Sequence, residues 1–187
     1  MTDVRLISVV GYQDAGKTQV VEALVAGLRR GGAGVGVIKH DGHADSPDHP
    51  TDWEKRGSDT DRVARAGARW TMIASRRGWM LHDWVSADTN VFDWIRTMLG
   101  AIASTGAQLD WLVVEGAKRS PLPKVLVARD LNQLRPLLDS VGAGAIAVCW
   151  TGDIVRDERV QLSQFHLSDI GDLIRHLTTQ PLIWRES

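Results

Sequence analysis

The run Val4-Arg5-Leu6-Ile7-Ser8-Val9-Val10 passes directly into Gly11-Tyr12-Gln13-Asp14-Ala15-Gly16-Lys17-Thr18, and then into residues with helical apolar spacing. A buried strand, a GxxxxGK[ST] turn and a helix in that order form a phosphate-binding loop, or P-loop. In such a turn successive backbone N–H groups converge on a polyphosphate, and the positive end of the following helix reinforces their field. Gly11 and Gly16 supply the backbone freedom and close approach the turn needs. Lys17 is placed to reach the β- and γ-phosphates, and the Thr18 hydroxyl to join a magnesium shell. Gly11, Asp14, Ala15, Gly16, Lys17, Thr18 and Gln19 are therefore read as a nucleoside triphosphate site.

The following helix carries Val20, Val21, Leu24, Val25 and Leu28 on one stripe and stops at Gly31-Gly32. Gly34 to Lys39 reads as a short buried second strand. His40 to Ser58 is polar and aperiodic and reads as a long loop, a length more often functional than incidental. A short helix is expected over Asp59 to Ala66. Trp70 to Ser75 and Trp79 to Trp84 read as strands of a hairpin turning at Arg76-Arg77-Gly78. A helix capped by Asp88 or Asn90 follows, with Val91, Trp94, Ile95, Met98, Leu99 and Ile102 on one face.

Leu109 to Glu115, Lys124 to Ala128 and Ala145 to Cys149 are continuous apolar runs. Strands of that kind are buried on both faces, as in a mostly parallel sheet covered by helices. Ser168 is the expected cap of a last helix carrying Leu173, Ile174 and Leu177. The fold class is α/β, a doubly wound and mostly parallel sheet flanked by helices, with a β-hairpin insertion. All 187 residues are read as one domain.

Composition bounds the partners. A net charge of -1 gives no field for nucleic acid or an anionic membrane. No run approaches the roughly 20 apolar residues of a membrane span. MTDVRLISVV lacks the pattern of a secretion signal. The single Cys149 forms no intrachain disulfide and reads as a small core residue. A cytoplasmic location is expected. The eight tryptophans divide between core filling and an interface, in proportions the sequence leaves open.

A second apolar strand of a P-loop fold carries an acid at its C-terminal end, where it holds magnesium or orients water. Leu112-Val113-Val114-Glu115-Gly116 fits that description, with a solvated Glu at a strand exit as the alternative. Lys17 and Glu115 are thus the candidate catalytic pair, and Thr18 and Glu115 the candidate metal ligands.

Taken in order, the P-loop, Ile38 to His43 (IKHDGH), Gly57 to Ala68 (GSDTDRVARAGA) and Val113 to Ser120 (VVEGAKRS) resemble the molybdopterin-guanine dinucleotide biosynthesis protein B (MobB) family. The resemblance runs through about the first two thirds of the chain. It implies a GTP-binding adapter with weak GTPase activity that associates with the guanylyltransferase attaching GMP to molybdopterin. It also implies a homodimer, Mg2+ beside the GTP, and molybdopterin as a further ligand. Carried onto this sequence, it places Lys39 and His40 at the exit of the second strand and Asp59 and Arg62 beside the cleft. Gly116 and Lys118 follow the acid near the site. An acid after the second strand, here Asp41, is implied as a contact to magnesium-bound water. Gln13-Asp14-Ala15, Gly42, Ser58 and Ala117 depart from the family pattern.

His40, His43 and His49 stand among Asp41, Asp45 and Asp48, which reads as a solvated polar loop, as a lining for an anionic pterin phosphate, or, as the minority case, as a zinc or nickel site. This keeps a nucleotide-gated metallochaperone as an alternative, beside a small-molecule P-loop kinase whose lid-like basic feature would be Arg76-Arg77. His82, His166 and His176 read as ordinary histidines. No intact [NT]KxD guanine motif is present. Thr151-Gly152-Asp153 stands where that motif would stand, so Asp153 either reads guanine or belongs to a polar turn. No water-positioning Gln is evident, and Arg119 is the one candidate for an arginine finger.

Overall fold

The computed structural model describes residues 3–42, 55–84, 89–153 and 156–184. They fall into two compact units: residues 1–41 with 91–187, and residues 42–90.

The larger unit is built on one sheet whose strands are β1 (Val4–Val10), β2 (Val35–Lys39), β5 (Trp111–Glu115), β6 (Lys124–Ala128), β7 (Ala145–Trp150), β8 (Ser163–His166) and β9 (Ile183–Trp184). The order is β2-β5-β1-β6-β7-β8, all parallel, with β9 pairing antiparallel to the start of β1. In register, Val9 lies opposite Glu115 on one side of β1 and opposite Val125 on the other. The C-terminal ends of six parallel strands therefore open on one edge, where open α/β sheets place their ligands.

Alternation sorts the strand residues onto two faces. Ile7, Val9, Trp111, Val113, Val125, Val127, Ala147 and Cys149 pack under α1 (Lys17–Arg30) and α5 (Ile170–Thr179). Leu6, Leu112 and Val114 pack under α3 (Val91–Ser104), and Val10, Leu126, Val148 and Trp150 under α4 (Leu131–Val141). Both faces of the inner strands are buried, as their continuous apolar runs require. Helices α1 and α5 touch through Gly27, where any Cβ would strike Ile174.

Several boundaries differ from the sequence reading. Among the described residues β2 is an edge strand, paired with β5 alone, and its Val37 and Lys39 are exposed. Helix α4 is an additional element: Leu134, Leu137 and Val141 are buried on its inner stripe despite Pro136, and the Asp130 carboxylate caps its start by accepting from the Gln133 N–H at 3.0 Å. Ser168 does not cap α5. It lies in a 3-10 turn over Leu167–Asp169, whose cap is the His166 ring, accepting from the Ser168 N–H at 3.2 Å. Cys149 is fully buried, and burial pushes its thiol up to about 12.

Lys124 is a core residue with 0% exposure. Its ammonium donates to the carbonyls of Ser120 at 2.6 Å, Leu122 at 2.9 Å and Ala143 at 3.2 Å, which answers its three protons. It ties the loop before β6 to the turn before β7.

The smaller unit contains α2 (Asp59–Arg65) and an antiparallel hairpin of β3 (Trp70–Ser75) and β4 (Gly78–Asp83). Ser58 caps α2, accepting from the Asp61 N–H at 3.1 Å. Asp61 is buried and accepts from the Gly57 N–H at 2.7 Å and from Arg65 at 3.0 Å, and these bonds hold its carboxyl below the usual range. The hairpin exposes Trp70, Met72, Ile73, Trp79, Met80 and Leu81. His43 to His49 and the Asp88 cap lie outside the described residues.

Candidate active site

The turn between β1 and α1 has the shape its glycines were expected to allow. Gly16 sits at φ 85, and a Cβ on Gly11 would lie 2.6 Å from the Val127 carbonyl oxygen. Asp14 also takes a left-handed conformation, φ 59, and its side chain is exposed. Ala15 is fully buried beneath the turn, while Gln19 is exposed beside its start.

The acid wall is formed by β5. Glu115 is 7% exposed, and its Oε1 accepts from the Thr18 hydroxyl at 2.9 Å. Two residues that are 97 positions apart in the sequence are joined because β1 and β5 are neighbours. Gly116 has φ 98 and Ala117 φ 56, so the chain turns sharply as it leaves the strand. Ser8, fully buried in β1, donates to the Gly116 carbonyl at 2.7 Å and pins this turn.

His40 braces the same corner from β2. Its backbone N–H donates to the Glu115 carbonyl at 2.9 Å, and its Nδ1 accepts from the Ala117 N–H at 3.3 Å. The ring stacks on Trp94 with centroids 4.8 Å apart. Any Cβ at Gly116 would press on the His40 carbonyl at 3.2 Å, which explains the glycine after the acid. Asp41 follows, partly buried.

Three lysines converge here. Lys17 donates from Nζ to the Tyr12 carbonyl at 2.7 Å. Burial lowers its pKa; Glu115 and Asp14 oppose that shift, and Lys39 adds to it. Lys118 lies over the Tyr12 ring, its Nζ 4.1 Å from the centroid. Burial, then repulsion from Lys17, lowers its pKa too. The partly desolvated ammonium groups of Lys17 and Lys118, beside a loop of inward amides, are suited to a polyanion.

The opposite wall comes from β7. The Thr151 hydroxyl donates to the Ala15 carbonyl at 2.7 Å, linking this strand's exit to the P-loop. A Cβ on Gly16 would sit 3.0 Å from the Thr151 methyl. Asp153 is exposed two residues on. Arg119 is exposed beyond the acid wall. Asp59 and Arg62 belong to the smaller unit, exposed on α2 and paired with each other at 3.6 Å.

Sequence reasoning missed Tyr12, Ser8 and Thr151 as parts of this corner. Only Thr151 carried a signal, as the first residue of the segment standing in for [NT]KxD. Among the described residues no group of three or more His, Cys, Asp or Glu is placed to share a metal ion, and no helix is long and apolar enough to cross a membrane.

Residues 6–150 match the model of the family described as MobB, molybdopterin guanine dinucleotide synthesis protein B. A probable molybdopterin-guanine dinucleotide biosynthesis adapter protein of Bacillus subtilis (strain 168) is 28% identical over 172 residues, covering 88% of this chain and 86% of its own length. The molybdopterin-guanine dinucleotide biosynthesis adapter protein of Escherichia coli (strain K12) is 28% identical over 135 residues, covering 72% and 71%. In three dimensions the chain resembles the crystal structure of Bacillus subtilis MobB, with a TM-score of 0.69, 23% identity, and coverage of 94% of this chain and 99% of that one. A MobB homolog from Bacillus stearothermophilus gives a TM-score of 0.63 at 24% identity, with the same coverage. These likenesses show a shared fold. With the family model spanning the P-loop, the acid strand and β7, the chain belongs to the MobB family.

Proposed function

We propose that this protein is a GTP-binding adapter of molybdenum cofactor biosynthesis, serving the guanylyltransferase that attaches GMP to molybdopterin. The observation that carries the reading is the 2.9 Å bond between Thr18 and Glu115 at the mouth of the P-loop. It joins the hydroxyl and the acid that a nucleoside triphosphate site needs on one spot. Family membership supplies the pathway, since its curated relatives are named biosynthesis adapter proteins.

In this reading the amides of Gly11 to Thr18 cradle the β- and γ-phosphates, and Lys17 leaves the Tyr12 carbonyl to bind them. Lys118 and Lys39 add positive charge at the rim, and Gly116 keeps the space beside the acid clear. The Thr18 hydroxyl and Glu115 carboxylate are hard oxygen donors, the type magnesium prefers, and Asp41 stands near the same strand exits. When bound, magnesium would neutralise charge on the phosphates. Asp153 takes the guanine edge. His40 is assigned to the molybdopterin side of the site, and the family resemblance gives Asp59 and Arg62 a ligand-contact role of their own.

Hydrolysis is slow in this scheme because the chain offers no evident water-positioning Gln, and Arg119, the candidate finger, is an exposed residue. Without a stabilising arginine such sites lose roughly 10³–10⁵ in rate. The nucleotide then acts by occupancy, presenting a surface to the transferase in the cytoplasm. The protein acts as a homodimer. An isolated two-stranded hairpin is marginal in water, and Trp70 and Trp79 on β3 and β4 are 56% and 54% exposed. A second copy adding strands there would cover them.

The test is co-purification from the native cell, reading the bound nucleotide and the protein partner together. Guanine triphosphate and a nucleotidyltransferase are the expected pair. Adenine nucleotide with a phosphorylated small molecule would instead favour a kinase.

A further inference from the structure

His166 ends β8 and pairs in register with Trp150, the last residue of β7. Its ring sits between two backbone groups. Nδ1 accepts from the Ser168 N–H at 3.2 Å and lies 2.8 Å from the Ser168 hydroxyl; a carbonyl oxygen can only accept, so the neutral ring carries its proton on Nε2, facing Gly152. Nε2 lies 3.0 Å from the Gly152 carbonyl and therefore donates to it. Gly152 is confined on its other side, where any Cβ would collide with the Arg129 carbonyl.

The residue just before Gly152 is Thr151, whose hydroxyl donates to Ala15 of the P-loop at 2.7 Å. Two positions upstream in β8, on the same strand face, Gln164 holds the far part of the same connection. Its Oε1 accepts from Trp150 Nε1 at 3.0 Å and the Asp157 N–H at 2.8 Å, while its Nε2 donates to the Asp157 and Val160 carbonyls at 2.8 and 3.1 Å. Edge strand β8 thus grips the β7–β8 connection at both ends. A short polar strand that buries little apolar surface is explained by this role.

We infer that His166 is a positioning residue for the nucleotide site, fixing Gly152 so that the neighbouring Thr151 is held against the P-loop. The inference rests on the nucleotide-binding reading above, and it adds a residue outside the loops that touch phosphate.

The two ring nitrogens can be tested separately. His166→Asn keeps an oxygen where Nδ1 accepts from Ser168 but cannot reach Gly152. His166→Gln keeps an N–H donor where Nε2 reaches Gly152 but loses the cap on the 3-10 turn. Titration calorimetry with GTP, beside thermal melts, reads both effects. H166N is expected to weaken GTP binding about fivefold, the worth of one ordinary hydrogen bond, with little change in melting temperature. H166Q is expected to bind within about twofold of wild type while melting earlier. Thr151→Val, which leaves His166 in place, should weaken binding as H166N does. H166N and T151V binding like wild type would overturn the inference alone, as would affinity losses in both histidine variants that simply follow their loss of stability. A folded wild-type chain that binds no triphosphate overturns the nucleotide reading and this inference with it.

Discussion

Replacing Lys17 with Ala tests the P-loop at its single most charged contact. The ammonium bonds to the Tyr12 carbonyl at 2.7 Å, within its own loop, and is half-buried. A polyphosphate replaces that neutral acceptor with charged oxygens, and a hydrogen bond to a charged group is worth about 1.5–3 kcal/mol. At 1.4 kcal/mol per factor of ten, Kd for GTP should rise roughly 10- to 150-fold. Desolvation already disfavours the protonated amine, so neutralising phosphate charge relieves strain that the free site carries. The fold should tolerate the change: the lost bond closes a turn at the surface, and the buried neighbours Ala15 and Val20 are untouched. Calorimetric titration of GTP, with circular dichroism melts as the control, reads both quantities. A folded Lys17→Ala variant with wild-type affinity would refute the assignment of this turn as a phosphate site.

Glu115→Gln should leave magnesium-free GTP binding near wild type and shrink the gain that magnesium brings; titrations with and without magnesium that shift in parallel would make the acid structural. Lys124→Ala removes the donors to three carbonyls, of which that of Leu122 is buried, and leaves a cavity, and should cost about 3–5 kcal/mol in urea unfolding; a loss below about 1 kcal/mol would show the carbonyls are satisfied otherwise. Asp157 is held down to about 2 chiefly by the Arg159 side chain. Its folded pKa lies below the unfolded value of 3.8, so its contribution is complete above 3.8 and is lost as pH falls toward about 2. Arg159→Leu should therefore unfold earlier than wild type at neutral pH, with the gap closing across that acid window. A gap independent of pH would assign the effect to packing.

What the sequence disclosed depended on how local each signal was. The P-loop is contiguous, and Val113 to Glu115 is an apolar run ending in an acid, so both halves of the Thr18–Glu115 pair were visible before their contact was. Helix α4 was hidden by Pro136, which costs a backbone hydrogen bond inside a helix; burial of Leu134, Leu137 and Val141 outweighs it. Strand β8, Ser-Gln-Phe-His, has neither apolar alternation nor length, because it pairs on one edge only and its side chains bond a loop. Tyr12 offers a carbonyl and a ring face to two lysines, and no periodicity announces either. Thr151 reaches Ala15 across 136 positions, a contact that follows from sheet order alone.

That order gives the two walls of the site different physics. On the β5–β2 side the groups at hand are charged: Glu115, Lys118 and Lys39, all close enough to Lys17 to influence its proton or to be influenced by it. On the β6–β7 side the contacts are neutral and geometric: the Val127 carbonyl against Gly11, and the Thr151 hydroxyl on Ala15. Charge interactions at a partly exposed rim weaken with salt, whereas hydrogen bonds between neutral groups depend on it little. Losses of affinity caused by Glu115 or Lys118 variants should thus change with ionic strength and magnesium. Those caused by Thr151 or His166 variants should stay constant across the same conditions, because they alter where the P-loop amides point rather than how much charge surrounds them.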